Sequence, residues 1–310
     1  MPPTPPPVTA LPAPPPAWWL LALSLATLVP LALIGWILLA VQGRRSSLLL
    51  GLLITQLVFL LPALAWARLS GCRPLRLLRL VRPSPGGLLL GLGVGVGAIV
   101  AGAGVMALWR TTLPASVLER FDVGQDLMSQ GWSPALLLGL AAVLPALCEE
   151  IAFRGALQTA LLRGRSPARA IAIGASIFAV VHFDPVRLPG VLLVGLAFGW
   201  LAWRTGSLWP PVLAHAVNNG AAVLISLQAA GSEAGAADPT ETLTAPEAVQ
   251  VLAVGLALLT AAVSAARRWL PPPPDAVTFL VPRIAATGGS GSPGPTTAGA
   301  APSPSGSAPP

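Results

Sequence analysis

Long apolar runs alternate with short polar joints along this chain. Runs near the ~20 residues that cross a bilayer as a helix fall at about 17–41, 47–69, 87–109, 134–162, 168–183, 188–203, 206–228 and 247–266. The pattern predicts an all-α, polytopic membrane helix bundle of about eight transmembrane helices. The fifth and sixth runs are short, so tilting or local bilayer thinning is expected there. Residues 1–16 form a Pro-rich lead. From Pro271 onward the chain turns to Pro, Gly, Ser, Thr and Ala, and both ends read as disordered. The organisation is therefore a lead at 1–16, N-terminal transmembrane helices at 17–133, a core at 134–228, a loop and last transmembrane helix at 229–270, and a tail at 271–310.

Composition supports the membrane reading. Of the 310 residues, 54% are apolar and only 9% charged, and the mean hydropathy is +0.76. The net charge of +7 comes from 18 basic residues that are all Arg, and most of them flank apolar runs. That distribution sets topology, and nucleic acid is not expected as a partner. With the N-terminus inside, cytoplasmic joints hold Arg68, Arg73, Arg76, Arg79, Arg82, Arg163, Arg165, Arg169, Arg204, Arg267, Arg268 and Arg283. The outer joints hold only Arg44, Arg45, Arg110, Arg120 and Arg187, with most of the acids. Both termini are thus expected in the cytoplasm. Met1 to Pro16 lacks a basic start and does not read as a cleavable signal peptide. Cys72 and Cys148 are the only cysteines and suggest no disulfide framework. In the third run, Gly87, Gly91 and Gly95 recur at spacing four, which lets helices approach closely; close packing within the chain is expected rather than a dimer seam.

The fourth run carries charges. Cys148-Glu149-Glu150-Ile151-Ala152-Phe153-Arg154-Gly155 lies inside an otherwise apolar helix, where each charge costs about 2.5–3.5 kcal/mol on insertion scales, so such residues are functional candidates. On a helix Glu150 and Arg154 lie about 40° apart and can pair, while Glu149 lies about 100° away. One acid then supports the site and the other is free to react. The two histidines also fall in apolar runs, His182 closing Phe178-x-x-x-His182 and His215 opening His215-x-x-x-Asn219. At about 1.5 Å per residue, Glu149 and His182 lie roughly 21 Å from the basic end of their spans, and His215 roughly 16 Å. Three helices therefore bring Glu, His and His to nearly one level. Cys148 reads as a small residue at a helix contact rather than a nucleophile.

A carboxylate and an imidazole flanking a water make a general-base pair, and a second imidazole with an amide can donate to a developing oxyanion. The set suits amide hydrolysis. Glu149, His182 and His215 are also the His₂Glu type that holds catalytic zinc, with Glu150 then a candidate base. Metal-free and Zn2+-assisted water activation are equally open from the sequence. No dinucleotide, Walker A, HExxH or GxSxG pattern is present.

The three patterns Glu149-Glu150-x-x-x-Arg154, Phe178-x-x-x-His182 and His215-x-x-x-Asn219, in order on successive helices, resemble the motif set of the CAAX protease and bacteriocin-processing family. These are intramembrane proteases distantly similar to the CAAX prenyl endopeptidase. The resemblance covers residues 134 to 222. It implies an all-α membrane core in which Glu149 and His182 activate water, His215 and Asn219 stabilise the oxyanion, and Glu150 and Arg154 shape the site. It implies a membrane-associated peptide or protein substrate. The Arg- and Ala-rich, Lys-free composition suggests a bacterium with GC-rich coding, hence a multi-pass protein of the inner membrane without prenylated substrates. Two other classes compete. A proton-coupled transporter would also use intramembrane Glu and His, though the chain lacks two matching halves with broken spans. A noncatalytic, immunity-type membrane protein would not need the intact motif set.

Overall fold

The computed structural model describes Pro16, residues 19–20, 44–120, 131–231 and 243–280. It is an all-helical bundle with no strand among the described residues. The helices are α1 Arg44–Leu69, α2 Pro74–Leu77, α3 Pro85–Arg110, α4 Ala115–Arg120, α5 Pro134–Leu162, α6 Pro167–Val180, α7 Leu188–Thr205, α8 Trp209–Gly231 and α9 Ala245–Trp269. Among the described residues, α1, α3, α5, α7, α8 and α9 are long and apolar enough to cross a membrane, and α6 is a shorter apolar helix. Seven of the expected spans are therefore helices. The first, 17–41, and the lead at 1–16 lie outside the described residues, apart from Pro16, Trp19 and Leu20.

Local chemistry marks the helix starts. Pro85, Pro134, Pro167 and Pro189 sit in first turns, where the missing N–H costs nothing. Ser84 and Ser133 cap their helices by accepting from the N–H of Gly87 at 3.0 Å and Leu136 at 3.3 Å. Thr244 and Glu247 close α9 with a capping box. Gly206, at φ 67, ends α7 in the left-handed region.

The glycines of α3 bring the bundle together. A Cβ on Gly91 would lie 2.6 Å from the Pro210 carbonyl oxygen, and one on Gly95 3.1 Å from the Ala214 backbone. Gly97 and Gly104 meet Leu259 and Leu252 of α9 in the same way. The glycine ridge thus packs inside the chain against α8 and α9. Cores form where Trp66, Ala67 and Ala63 of α1 meet Ile151 and Ala156 of α5, and where Val94 and Ala98 of α3 meet Phe198, Leu201 and Ala214.

One helix departs from the simple spacing. Within α5, Leu138–Val143 and Ile151–Leu157 are wound as wide π turns. Leu144 N–H bonds the Gly139 carbonyl and Gln158 N–H the Phe153 carbonyl, each five residues back. Such bulges recur at functional sites, and these two bracket Glu149 and Glu150.

The chain after α9 also differs from the expected tail at its start. Pro271 to Leu280 lies against the basic end of the bundle, with Phe279 and Leu280 buried. The reason is hydrophobic: Leu280 joins the core that holds Trp66 and Leu77, and the Phe279 ring covers the Arg79 guanidinium at 4.7 Å. Residues 281–310 lie outside the described residues.

Candidate active site

The predicted pairing inside α5 forms. Arg154 Nη1 donates to Glu150 Oε1 at 2.8 Å, and both side chains are fully enclosed. A pair taken out of water needs its remaining donors satisfied. Arg154 Nη2 donates to the Gly195 carbonyl at 3.2 Å, and its guanidinium lies 4.4 Å over the Phe178 ring. One turn further on, Gln158 Nε2 donates to the Gly199 carbonyl at 2.9 Å. Two side chains of α5 thereby grip two carbonyls of α7 at sites where glycine leaves the backbone uncovered. A Cβ at Gly199 would crowd Gln158 at 3.1 Å, and one at Gly195 would crowd Ala175 at 3.1 Å. Sequence reasoning missed Gln158, Phe198, Gly195 and Gly199. The four-residue glycine spacing in α7 is the signal that would have found the last two.

His215 joins the pair from α8. Its Nδ1 lies 2.9 Å from Glu150 Oε1, and a carboxylate oxygen accepts, so Nδ1 carries the proton. Its Nε2 lies 3.8 Å from Glu149 Oε2, beyond hydrogen-bond range. Phe198 stacks obliquely on the imidazole at 5.5 Å. The Glu149 carboxylate, 7% exposed as a residue, accepts no hydrogen bond among the described residues. It is enclosed, beside an imidazole, and open to a reacting group. The two carboxylates approach different nitrogens of one ring.

His182 stands outside its helix. α6 ends at Val180, and His182 follows in the turn, exposed. Its Nδ1 lies 2.6 Å from the Phe178 carbonyl oxygen. A carbonyl only accepts, so Nδ1 donates and Nε2 is left bare. The break that places it here comes from Phe183, at φ 50, and from the Asp184 carboxylate, which accepts from the N–H groups of Val186 and Arg187. The Phe178 ring bridges the two imidazoles, 4.7 Å from His182 and 6.1 Å from His215. Phe153 packs edge-on against it at 5.0 Å.

Asn219 lies one turn beyond His215 on α8, half-buried. Its side-chain oxygen accepts from Asn218 at 3.3 Å, which leaves its amide N–H₂ without an acceptor among the described residues. Glu150, Arg154, His215 and Glu149 are therefore in one cluster, His182 borders it through Phe178, and Asn219 adjoins it along α8. Cys148 is buried. The donor types of Glu149, His182 and His215 suit zinc, yet among the described residues no three His, Cys, Asp or Glu side chains are gathered closely enough to hold a metal ion. The arrangement does not fit a metal as it stands.

Fold and site together define a multi-pass membrane protein with a buried carboxylate–imidazole centre. The segment that holds this centre, residues 131–221, matches the family model described as Type II CAAX prenyl endopeptidase Rce1-like. A Bacillus subtilis (strain 168) protein named "Putative membrane peptidase YdiL" is 30% identical over 93 residues, which are 30% of this chain and 38% of that protein. The likeness thus spans well under half of that relative's length. No solved structure matches the chain. At family level these comparisons support a membrane protease, and they uphold the resemblance carried by the three motifs.

Proposed function

We propose that the protein is an intramembrane endopeptidase that cleaves a peptide bond of a membrane-associated protein or peptide. The observation that carries this reading is the enclosed Glu149 carboxylate, without a donor, 3.8 Å from an imidazole whose other nitrogen is held by Glu150. Glu149 takes a proton from the attacking water as its oxygen adds to the carbonyl carbon, while the bare Nε2 of His182 accepts a hydrogen bond from the water's other O–H. The Asn219 amide donates to the oxyanion, with the His215 ring, held at Nδ1 by Glu150, beside it. Collapse breaks the C–N bond, and the proton passes to the leaving amine. Glu150 and Arg154 are positioning residues: they fix the His215 ring and tie α5 to α7. In this reading the step uses side chains alone. A bacterial inner membrane, with the basic end in the cytoplasm, is the setting that the Arg distribution supports.

Reconstituted protein, assayed against a panel of membrane-anchored peptides, tests this. Glu149→Ala should lose about 100- to 10,000-fold in cleavage, the span of general-base contributions, while its thermal midpoint stays near that of the parent. Chelator should leave cleavage unchanged. Cleavage by Glu149→Ala at the parental rate would overturn the reading, and loss on chelation would replace the metal-free step.

A further inference from the structure

At the basic end of the bundle, away from the candidate active site, two adjoining recesses of about 250 and 360 Å³ share Trp203 and Pro273. Arg79, Arg165 and Asp275 line the smaller one. Trp200, Arg204 and Arg267 line the larger.

The cations here are short of acids. Arg79 is 1% exposed. Its Nη1 donates to the Ala202 carbonyl at 3.3 Å, its Nε has no partner, and no carboxylate meets it among the described residues. Burial pushes its pKa down to about 10, so it remains charged at neutral pH. Arg204 gives its guanidinium N–H groups to the Ala266, Leu270 and Pro271 carbonyls, which ends α9 but leaves its charge uncompensated. Arg165 and Arg267 are exposed. The lining acid, Asp275, is exposed and forms no ion pair among the described residues. Arg79 and Arg165 line the smaller recess and Arg204 and Arg267 the larger one that adjoins it, so the joined cleft sets four guanidinium groups against one acid, which fits a phosphate.

The walls select the kind of phosphate. Trp200, Trp203, Leu270 and prolines are apolar, and Trp at this level belongs to the membrane–water interface. Trp269, 75% exposed at the end of α9, marks the same level. Basic recesses between helix ends bind anionic headgroups. We propose that this cleft seats the phosphodiester headgroup of an anionic glycerophospholipid, with the exposed Arg165 and Arg267 about the phosphate, the buried Arg79 adding its charge from beneath, and Trp200 and Trp203 against the glycerol and first acyl carbons.

The test uses the full-length protein in nanodiscs of phosphatidylcholine, with and without added phosphatidylglycerol, and reads the thermal midpoint and the lipid retained in native mass spectra. Phosphatidylglycerol should raise the midpoint and be retained in preference. The exposed double variant R165Q/R267Q should bind it about tenfold more weakly, with its midpoint in pure phosphatidylcholine unchanged. R73Q/R76Q, which removes two exposed cations of the same end outside the cleft, should bind as the parent does. Equal losses in the two double variants would overturn the proposal in favour of diffuse surface attraction. Equal retention of phosphatidylcholine would overturn it, as would inorganic phosphate giving the same rise at the same concentration.

Discussion

Glu150 is the residue on which the others depend, because one of its oxygens, Oε1, meets both Arg154 and His215. Removing one partner of a buried ion pair leaves an uncompensated charge and costs about 3–5 kcal/mol. Arg154→Leu should therefore lower the thermal midpoint markedly, and E150Q/R154L, which removes both charges, should recover much of the loss; a double variant less stable than R154L would contradict this account. The Glu150–Arg154 pair was legible in the sequence because residues four apart share a helix face. The grip of Glu150 on His215 was not, since spacing says nothing about which ring nitrogen meets which element. His182 was expected inside its helix. Asp184-Pro185, a turn signal two residues on, was the hint that the helix ends early, but the positive φ of Phe183 has no marker of its own.

At the scale of elements, α3 decides where α8 sits, and α8 carries His215 and Asn219. A Gly91→Val side chain would collide with the Pro210 backbone, so α8 must move; cleavage and thermal midpoint should fall together. Gly93, with open space where a Cβ would stand, is the control: Gly93→Ala should keep activity and, by helix propensity, gain up to about 1 kcal/mol. Unchanged activity in G91V would show that the contact does not position the site. The four-residue glycine spacing made this packing readable from the sequence, and the lengths of the apolar runs gave the helices. The wide turns in α5 were not readable. They follow from what α5 must satisfy at once: Phe153 and Ile151 against α1, Arg154 and Gln158 on α7 carbonyls, and two acids toward α8. An even α-helical wheel would rotate one of these sets away.

For the whole molecule, the arginines segregate as the sequence suggested. The loops at one end, which carry Arg68 to Arg82, Arg163 to Arg169, Arg204 and Arg267–Arg268, meet directly: Leu208 N–H bonds the Arg79 carbonyl, and Ser207 bonds the Val81 carbonyl. The opposite end is tied by Trp109, whose indole N–H reaches the Pro185 carbonyl at 2.8 Å. Single cysteines can read the orientation. In cells, Arg76→Cys should react only with reagents that enter the cytoplasm and Thr112→Cys with impermeant ones, over little background because Cys72 and Cys148 are buried; the reverse pattern would invert the topology. Between these ends, the segment from Pro271 to Leu280 was beyond the reach of composition, since its prolines read as a tail while two apolar side chains at its close give it a place to dock.

That segment has a consequence for how the protein is made. Arg79 emerges from the ribosome two hundred residues ahead of Phe279, the ring that covers it. Arg204 likewise waits for the carbonyls that receive it. Until Pro271 to Leu280 has emerged, this end of the newborn protein holds two unsheltered cations, and its assembly is sealed by the last described residues to arrive.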